Sequence, residues 1–155
     1  MSLYIREVTA ENWEDIAYLS VNDNQKNFIE SNSFSLAQSK FEPEWKSVGL
    51  YDEEELIGYA MHGRDKTSSN VWLDRFMIDQ NYQGKGYASR FLPMLLKGMQ
   101  KKYSCDMIYL SIYPDNKKAQ HLYEKFGFAL NGKIDDVGEF PCLVMELDLK
   151  RSPLA

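Results

Sequence analysis

The chain has few of the residues that metal or disulfide chemistry needs. Its 155 residues include only two cysteines, Cys105 and Cys142, and two histidines, His62 and His121. No Cys/His cluster with metal-ligand spacing occurs, so we expect no metal site. Without a secretion signal, the two cysteines are typical of reduced thiols, and the sequence therefore predicts no disulfide.

Long apolar runs are also missing. No stretch approaches the roughly 20 apolar residues that cross a bilayer, and the first residues lack the basic-then-apolar order of a secretory signal. We therefore expect a cytoplasmic protein with no membrane partner. The formal net charge is −5. This acidic surplus argues against nucleic acid as a partner and suits a cationic ligand.

The composition is that of a globular protein, with 44% hydrophobic and 26% charged residues. The length predicts one domain over residues 1–150, followed by a short tail at 151–155. Apolar periodicity predicts a first helix capped by Thr9, with Trp13 and Ile16 facing inward. The same pattern predicts seven strands, at residues 3–8, 45–51, 56–64, 71–78, 107–113, 129–135 and 141–149.

Residues 83–88, Gln-Gly-Lys-Gly-Tyr-Ala, lie between a predicted strand and a predicted helix at 86–99. A strand that turns through glycines into a helix N-terminus directs backbone N–H groups and the helix dipole at one spot, which predicts an anion site. A P-loop would need a Gly-Lys-Ser/Thr ending, which is absent. Gly84, Gly86 and Ser89 partly match a dinucleotide-binding fingerprint, which also needs an acidic residue about 20 residues further on. Asp106 has that spacing, but it would begin the next strand, whereas the ribose-binding acid ends one.

The hexapeptide resembles the acetyl-CoA signature of the GNAT N-acetyltransferases, Gln/Arg-x-x-Gly-x-Gly/Ala, at Gln83, Gly86 and Ala88. Residues 116–128, with Asn at a helix start and a Tyr-x-x-x-Gly-Phe ending, resemble the later motif of the same family. The resemblance implies an α/β (α+β) GNAT fold with a mixed, mostly antiparallel sheet of six to seven strands. It also implies a central splayed parallel pair, about four flanking helices and acetyl-CoA as co-substrate.

The family's cofactor contacts can be carried over residue by residue. Backbone N–H groups at Phe76, Met77 and Ile78 would donate hydrogen bonds to the thioester oxygen. The resemblance implies that these groups are exposed because a bulge separates their strand from the next. The full set of cofactor-binding residues that the resemblance implies is Phe76, Met77, Ile78, Gln83, Gly84, Lys85, Gly86, Tyr87, Ala88, Ser89, Asn116 and Tyr123.

Two residues are candidates for catalysis. Tyr123 matches the family tyrosine that protonates the departing sulfur, although the same residue could be a half-buried helix tyrosine packed beside Phe126. Asp74 lies inside an apolar strand, where a carboxylate is either a base for the amine or part of an exposed strand face. For His62 a satisfied core position is the favoured interpretation, and His121 is expected to be solvated.

Residues 27–45 resemble the bacterial spermine/spermidine acetyltransferases within that family. Carboxylates between aromatic walls suit a polyamine, and this resemblance predicts an acceptor site formed by Phe28, Glu30, Glu42, Trp45 and Asp74. Another small amine, an amino acid, a peptide N-terminus or a non-catalytic acyl-CoA-binding module remain alternatives. The last two predicted strands, at residues 129–135 and 141–149, also suggest a homodimer, because exposed strands of this kind often pair between copies.

Overall fold

The computed structural model describes residues 2–136, 138 and 140–154. Its strands are β1 (Leu3–Glu7), β2 (Trp45–Asp52), β3 (Glu55–Arg64), β4 (Val71–Ile78), β5 (Met107–Ile112), β6 (Ala129–Asp135) and β7 (Cys142–Asp148). Its α-helices are α1 (Trp13–Tyr18), α2 (Asn32–Phe41), α3 (Tyr87–Tyr103) and α4 (Lys117–Lys125), and short 3₁₀ helices cover Asp23–Phe28 and Gln80–Tyr82.

The seven strands form one sheet in the order β1-β2-β3-β4-β5-β7-β6. Among the strands of the described residues, only β4 and β5 are parallel neighbours, and the other pairs are antiparallel. This arrangement confirms the predicted fold class. The division into a domain over residues 1–150 and a tail at 151–155 stays a prediction, although Leu154 packs against the main core.

The sheet is covered on both faces, so it has two cores. The larger contains the inner side of α3 and includes Phe91, Leu95 and Tyr123. The smaller lies under α1 and α2 and includes Ile16 and Trp45. No helix of the described residues is long and apolar enough to span a membrane.

Helix α1 differs from the prediction at its start. Thr9 does not cap it, because residues 9–12 form a turn in which the Thr9 N–H donates to Asn12 Oδ1 at 2.8 Å. The helix therefore begins at Trp13, with Asn12 at the N-cap position. Ile16 is fully buried as expected, but Trp13 is 49% exposed, so its predicted inward position is wrong.

A bulge in β4 lies at Asp74. Strand β3 pairs Met61 with Arg75 but His62 with Leu73, so Asp74 is an extra residue without a partner in the register. Between described residues of β4 and β5 the register contains a single pair, Trp72 and Tyr109. The two strands therefore separate beyond the bulge, where the second half of β4 is left open on the side of β5.

His62 is a core residue, as the favoured interpretation held. Its side chain is buried, and Nδ1 lies 2.7 Å from the Tyr103 hydroxyl. Burial, and then the charges of Lys102 and Lys46, lower the pKa of His62 from 6.5 to about 4.

This pKa predicts how stability depends on pH. Between pH 6.5 and about 4 the unfolded chain binds a proton at His62 that the folded protein does not, so the free energy of unfolding decreases as the pH falls through that window. At ~1.4 kcal/mol per pH unit the contribution of His62 is about 3 kcal/mol. Urea unfolding at several pH values should show a flatter profile for His62→Gln than for the control His121→Gln, which changes an exposed histidine. Equal slopes would contradict the buried neutral imidazole.

Candidate active site

The loop between β4 and α3 has the conformation that an anion site needs. Gly84 and Gly86 have φ values of 79° and 83°, in the left-handed region that favours glycine. Among the described residues, a Cβ on Gly84 would meet no atom within 4 Å, and one on Gly86 would meet only Arg90 Nη2, at 3.8 Å. The space over both glycines is therefore open. The N-terminus of the 17-residue helix α3 follows directly.

This loop forms one wall of a cavity of about 320 Å³, which we call the loop pocket. It is bounded by the end of β4, the loop and the start of α4. Of the predicted cofactor-binding residues, the wall includes Phe76, Met77, Ile78, Gln83, Gly84, Gly86, Tyr87, Ala88, Ser89, Asn116 and Tyr123. Their convergence on one cavity fits an elongated ligand with a phosphate end.

Lys85 is the predicted residue that does not line this cavity. Its Nζ instead lies 5.7 Å from the centroid of the Tyr82 ring. The side chain of Gln83 has a positioning role, because its Nε2 donates to Ile78 O at 2.9 Å and to Gln25 Oε1 at 3.0 Å. These bonds hold the loop against the end of β4 and the first 3₁₀ helix.

Arg90 is a residue at this site that the sequence analysis missed. Its Nη2 donates to the carbonyl of Lys85 at 2.8 Å, and its guanidinium carbon lies 5.0 Å from the centroid of the Tyr87 ring. A permanent positive charge is therefore held against the loop. The available signal was a basic residue one helical turn after Gly86.

A second cavity, of about 270 Å³, opens between the separated strands β4 and β5. We call it the acidic pocket, because its charged described residues are Glu30, Asp74, Asp135 and Arg75. The pocket therefore contains three carboxylates and one guanidinium. This excess of negative charge favours a cationic ligand.

Arg75 organises this acidic pocket. Its side chain is 11% exposed, with Nε 3.1 Å from Glu30 Oε2 and Nη1 2.7 Å from Asp74 Oδ2. Nε also donates to Ser35 Oγ at 3.1 Å, and Nη2 donates to Gln38 Oε1 at 3.2 Å. These contacts attach β4 to α2 and fix the two carboxylates.

Burial raises the pKa of the Asp74 carboxyl; the Arg75 guanidinium opposes this shift, and the charges of Glu30 and Asp135 add to it. Asp135 was not predicted as a site residue. It is the last residue of β6, and it accepts a hydrogen bond from Ser111 Oγ at 3.1 Å. It reaches the pocket because β6 pairs with β7, which in turn pairs with β5, and no local sequence pattern indicates this order.

Tyr123 lies where the two cavities meet. Both cavities are lined by Phe28, Ile29, Phe76, Asn116, Ala119 and Tyr123. The Tyr123 side chain is 9% exposed, and its ring packs edge-on against Phe128 at 5.6 Å between centroids. Burial raises the pKa of its hydroxyl, so the group is protonated at neutral pH and can donate a proton. Asn116 caps α4 through a 3.3 Å bond from the Ala119 N–H.

Two residues predicted for the acceptor site lie elsewhere. Phe28, Glu30 and Asp74 line the acidic pocket, but Glu42 and Trp45 line neither cavity. Trp45 is buried in the smaller core because it begins β2. Glu42 is exposed at the end of α2, where its Oε1 accepts a 3.4 Å bond from Gln38.

Structural comparison identifies similar folds. The crystal structure of spermidine N-acetyltransferase from Vibrio cholerae in complex with CoA and spermine aligns with a TM-score of 0.78 over 97% of both chains, at 21% identity. An uncharacterized protein from Bacillus halodurans aligns with a TM-score of 0.79 over 96% of this chain and 84% of that one, at 15% identity. At these identities the likeness concerns the fold.

Sequence comparison is more specific. The spermine/spermidine N(1)-acetyltransferase of Bacillus subtilis (strain 168) is 43% identical over 145 residues, which cover 90% of this chain and 95% of that protein. The spermidine N(1)-acetyltransferase of Escherichia coli (strain K12) is 32% identical over 60 residues, or 39% of this chain and 32% of that protein. The family model of the acetyltransferase (GNAT) family matches residues 9–128. The chain therefore belongs to the GNAT acetyltransferase family.

Proposed function

We propose that this acetyltransferase moves the acetyl group of acetyl-CoA to a primary amine of spermine or spermidine, by direct attack in a ternary complex. The observation that carries the proposal is the meeting of the loop pocket and the acidic pocket at Tyr123. One cavity suits an anionic cofactor and the other a cationic acceptor. The similarity to a spermine/spermidine acetyltransferase at 43% identity supports this substrate class.

Acetyl-CoA supplies an activated acetyl thioester. The open space over Gly84 and Gly86 fits its pyrophosphate, which the backbone N–H groups of the loop, the start of α3 and the Arg90 guanidinium would hold. The wall formed by Phe76, Ala119 and Tyr123 would place the thioester at the junction of the cavities.

The strand β4 and Tyr123 supply the two hydrogen-bond donors that acyl transfer needs. Beyond the Asp74 bulge, backbone N–H groups of β4 on the side of β5 would stabilise the negative charge that develops on the carbonyl oxygen. The Tyr123 hydroxyl would donate its proton to the departing sulfur. Its raised pKa keeps that proton in place until the thiolate forms.

The acceptor amine has to lose a proton before it attacks. With a lysine-like pKa near ~10.4, about one amine in 2,500 is neutral at pH 7, a handicap of roughly 4.6 kcal/mol. We propose Asp74 as the base, acting through water. Burial raises the pKa of its carboxyl, which makes the ionised form a stronger base than an ordinary aspartate.

The remaining carboxylates would bind the rest of the polyamine. Glu30 and Asp135 lie in the same cavity as Asp74, and Phe28 and Phe140 add aromatic surface for the methylene chain. Arg75 already pairs with Glu30 and Asp74. Asp135, which lines the same cavity and accepts a hydrogen bond from Ser111 Oγ, is proposed to face a second ammonium group.

Removing charge from this pocket should alter specificity. We expect Glu30→Gln and Asp135→Asn to lower kcat/KM for spermine more than kcat/KM for a short monoamine, because only spermine places a second ammonium near these groups. A charged contact is worth about 1.5–3 kcal/mol, so the ratio of kcat/KM values should shift by roughly 10-fold or more. Initial rates of thiol release with spermine, spermidine and a monoamine give this ratio.

Glu42→Gln is the matched control, since Glu42 lies outside both cavities. It removes the same charge at the end of the neighbouring helix and should leave the ratio unchanged. Equal losses for all three amines in Glu30→Gln and Asp135→Asn, or a shift in Glu42→Gln as large as theirs, would contradict the acceptor site.

A homodimer also stays a proposal. Strand β6 is an edge of the sheet, and its side chains Leu130 and Ile134 are 45% and 56% exposed. Exposed apolar residues on an edge strand favour pairing with a second copy. The predicted cytoplasmic location stays an expectation from the sequence.

A further inference from the structure

The turn between β2 and β3 carries four consecutive acidic residues beside the candidate anion site. Residues 52–55 are Asp-Glu-Glu-Glu. None of the four lines the loop pocket, whose described wall contains no acidic residue. Negative charge near the place of a pyrophosphate should oppose its binding, so electrostatics alone does not explain this turn. Two of its carboxylates instead accept hydrogen bonds from tyrosines at the site.

Tyr82 and Tyr87 flank the glycine loop, residues 83–86. The Tyr82 hydroxyl donates to Glu55 Oε2 at 2.9 Å, and the Tyr87 hydroxyl donates to Asp52 Oδ2 at 2.6 Å. The two rings also contact each other edge-on, with 6.2 Å between their centroids. We call Asp52, Glu55, Tyr82 and Tyr87 the tyrosine clamp, because they join both ends of the glycine loop to one turn.

The Tyr87 half of the clamp is the more firmly held. Asp52 is partly buried, whereas Glu55 is exposed. A bond of 2.6 Å from a hydroxyl to a carboxylate has the short length of charge-assisted hydrogen bonds. The Tyr87 ring also stacks on the fully buried Phe91, with 6.1 Å between centroids. Asp52 and the main core therefore fix the residue with which α3 begins.

The two rings in turn hold positive charges at the loop. The Lys85 Nζ lies 5.7 Å from the centroid of the Tyr82 ring, and the Arg90 guanidinium carbon lies 5.0 Å from that of Tyr87. Cations at this distance are attracted to the ring faces. Arg90 also donates to the carbonyl of Lys85. A shift of either ring would therefore move the charges that an anion meets.

Stability alone does not account for an acid at position 52. Its Oδ1 is buried and has no hydrogen-bond partner among the described residues. A buried carboxylate oxygen without a donor is unfavourable. The other oxygen, Oδ2, accepts from Tyr87. The position thus bears an energetic cost while it holds a tyrosine of the loop pocket.

We propose that the tyrosine clamp positions the glycine loop for CoA, and that Asp52 is its main positioning residue. Asp52 acts through Tyr87, without touching the cofactor, and keeps the loop and the Arg90 charge in place for the pyrophosphate. The inference rests on the loop pocket as the cofactor site of the proposed function.

The test measures the Kd for CoA by calorimetry in Asp52→Ala, Tyr87→Phe and the double variant. Each single variant removes one partner of the same bond, so Kd should rise roughly 5–10-fold in both, the scale of one charge-assisted hydrogen bond. The double variant should lose no more than the larger single loss. In Asp52→Ala the KM for acetyl-CoA should rise, while kcat at saturating acetyl-CoA stays at the wild-type value.

Asp52→Asn separates the hydrogen bond from the charge. It removes the negative charge but keeps an oxygen that can accept from Tyr87, so its Kd should stay near that of the wild type. Glu54→Ala is the matched control, because Glu54 lies on the same turn with a side chain that is 90% exposed. Its Kd should not rise. Melting temperatures check that the variants are folded, and if Asp52→Ala does not fold, Tyr87→Phe decides by the same criterion.

Four results would overturn this inference alone, given a wild type that binds CoA. They are an unchanged Kd in Asp52→Ala and Tyr87→Phe, a lower Kd in Asp52→Ala, additive losses in the double variant, and a loss in Asp52→Asn as large as in Asp52→Ala. A wild type that does not bind CoA would overturn both this inference and the proposed function, so the two failures are distinguishable.

Discussion

Replacing Tyr123 with phenylalanine is expected to lower kcat by roughly 100-fold or more, as for the loss of a general acid. The ring should keep its packing against Phe128, so the fold and the affinity for acetyl-CoA should barely change. Stopped-flow or steady-state thiol release gives the rate, and calorimetry with CoA gives the affinity.

Tyr18→Phe is the control for this substitution, because Tyr18 is 79% exposed and lines neither cavity. Its turnover should match the wild type. Near-normal turnover in Tyr123→Phe, under conditions where chemistry limits the rate, would return Tyr123 to a purely structural role.

Replacing Gly86 with glutamate should have the largest effect on cofactor binding. The φ of 83° strains any side chain, and a carboxylate here would occupy the space that the pyrophosphate needs and oppose its charge. We expect the Kd for CoA in calorimetry to rise by roughly 100-fold or more, which corresponds to about 3 kcal/mol.

Gly98→Glu provides the matched control, since Gly98 lies on the exposed side of the same helix and a Cβ there would meet no atom of the described residues within 4 Å. It adds the same charge and should leave CoA affinity unchanged. An unaltered Kd in a folded Gly86→Glu variant would mean that the loop does not hold the cofactor.

Much of the fold could be predicted from the sequence. Alternating and continuous apolar runs predicted all the strands to within a few residues, and the glycine loop and the Asn116 cap predicted the helices beside the site. The start of α1 was wrong because a turn at residues 9–12 competes with the cap that Thr9 suggests.

The candidate site was harder to predict, since its residues depend on long-range pairing. Asp74 lies in an apolar strand, but it is not part of a regular solvent-exposed face. The bulge opposite β3 interrupts the alternation of side chains between the two faces of the sheet. Asp135 reaches the pocket only through the order of β5, β7 and β6. Glu42 and Trp45 belong to the segment that resembles polyamine acetyltransferases, but the end of α2 and the start of β2 carry them away from both cavities.

The same reasoning applies to the partly buried Arg75. A strand pattern alone gives no reason for a cation next to Asp74. The structure supplies it, because Glu30, Ser35 and Gln38 from another part of the chain all contact the guanidinium. Charge pairs across such sequence distances leave no local signal.

The measurement that tests the central claim most directly is the initial rate of thiol release with spermine, at several fixed concentrations of acetyl-CoA, with mass analysis of the product. Two cavities that meet at Tyr123 predict double-reciprocal lines that intersect, as for a ternary complex, and a spermine product heavier by one acetyl group. Parallel lines would contradict direct transfer. No thiol release above the amine-free control with either spermine or spermidine would contradict the polyamine acetyltransferase itself.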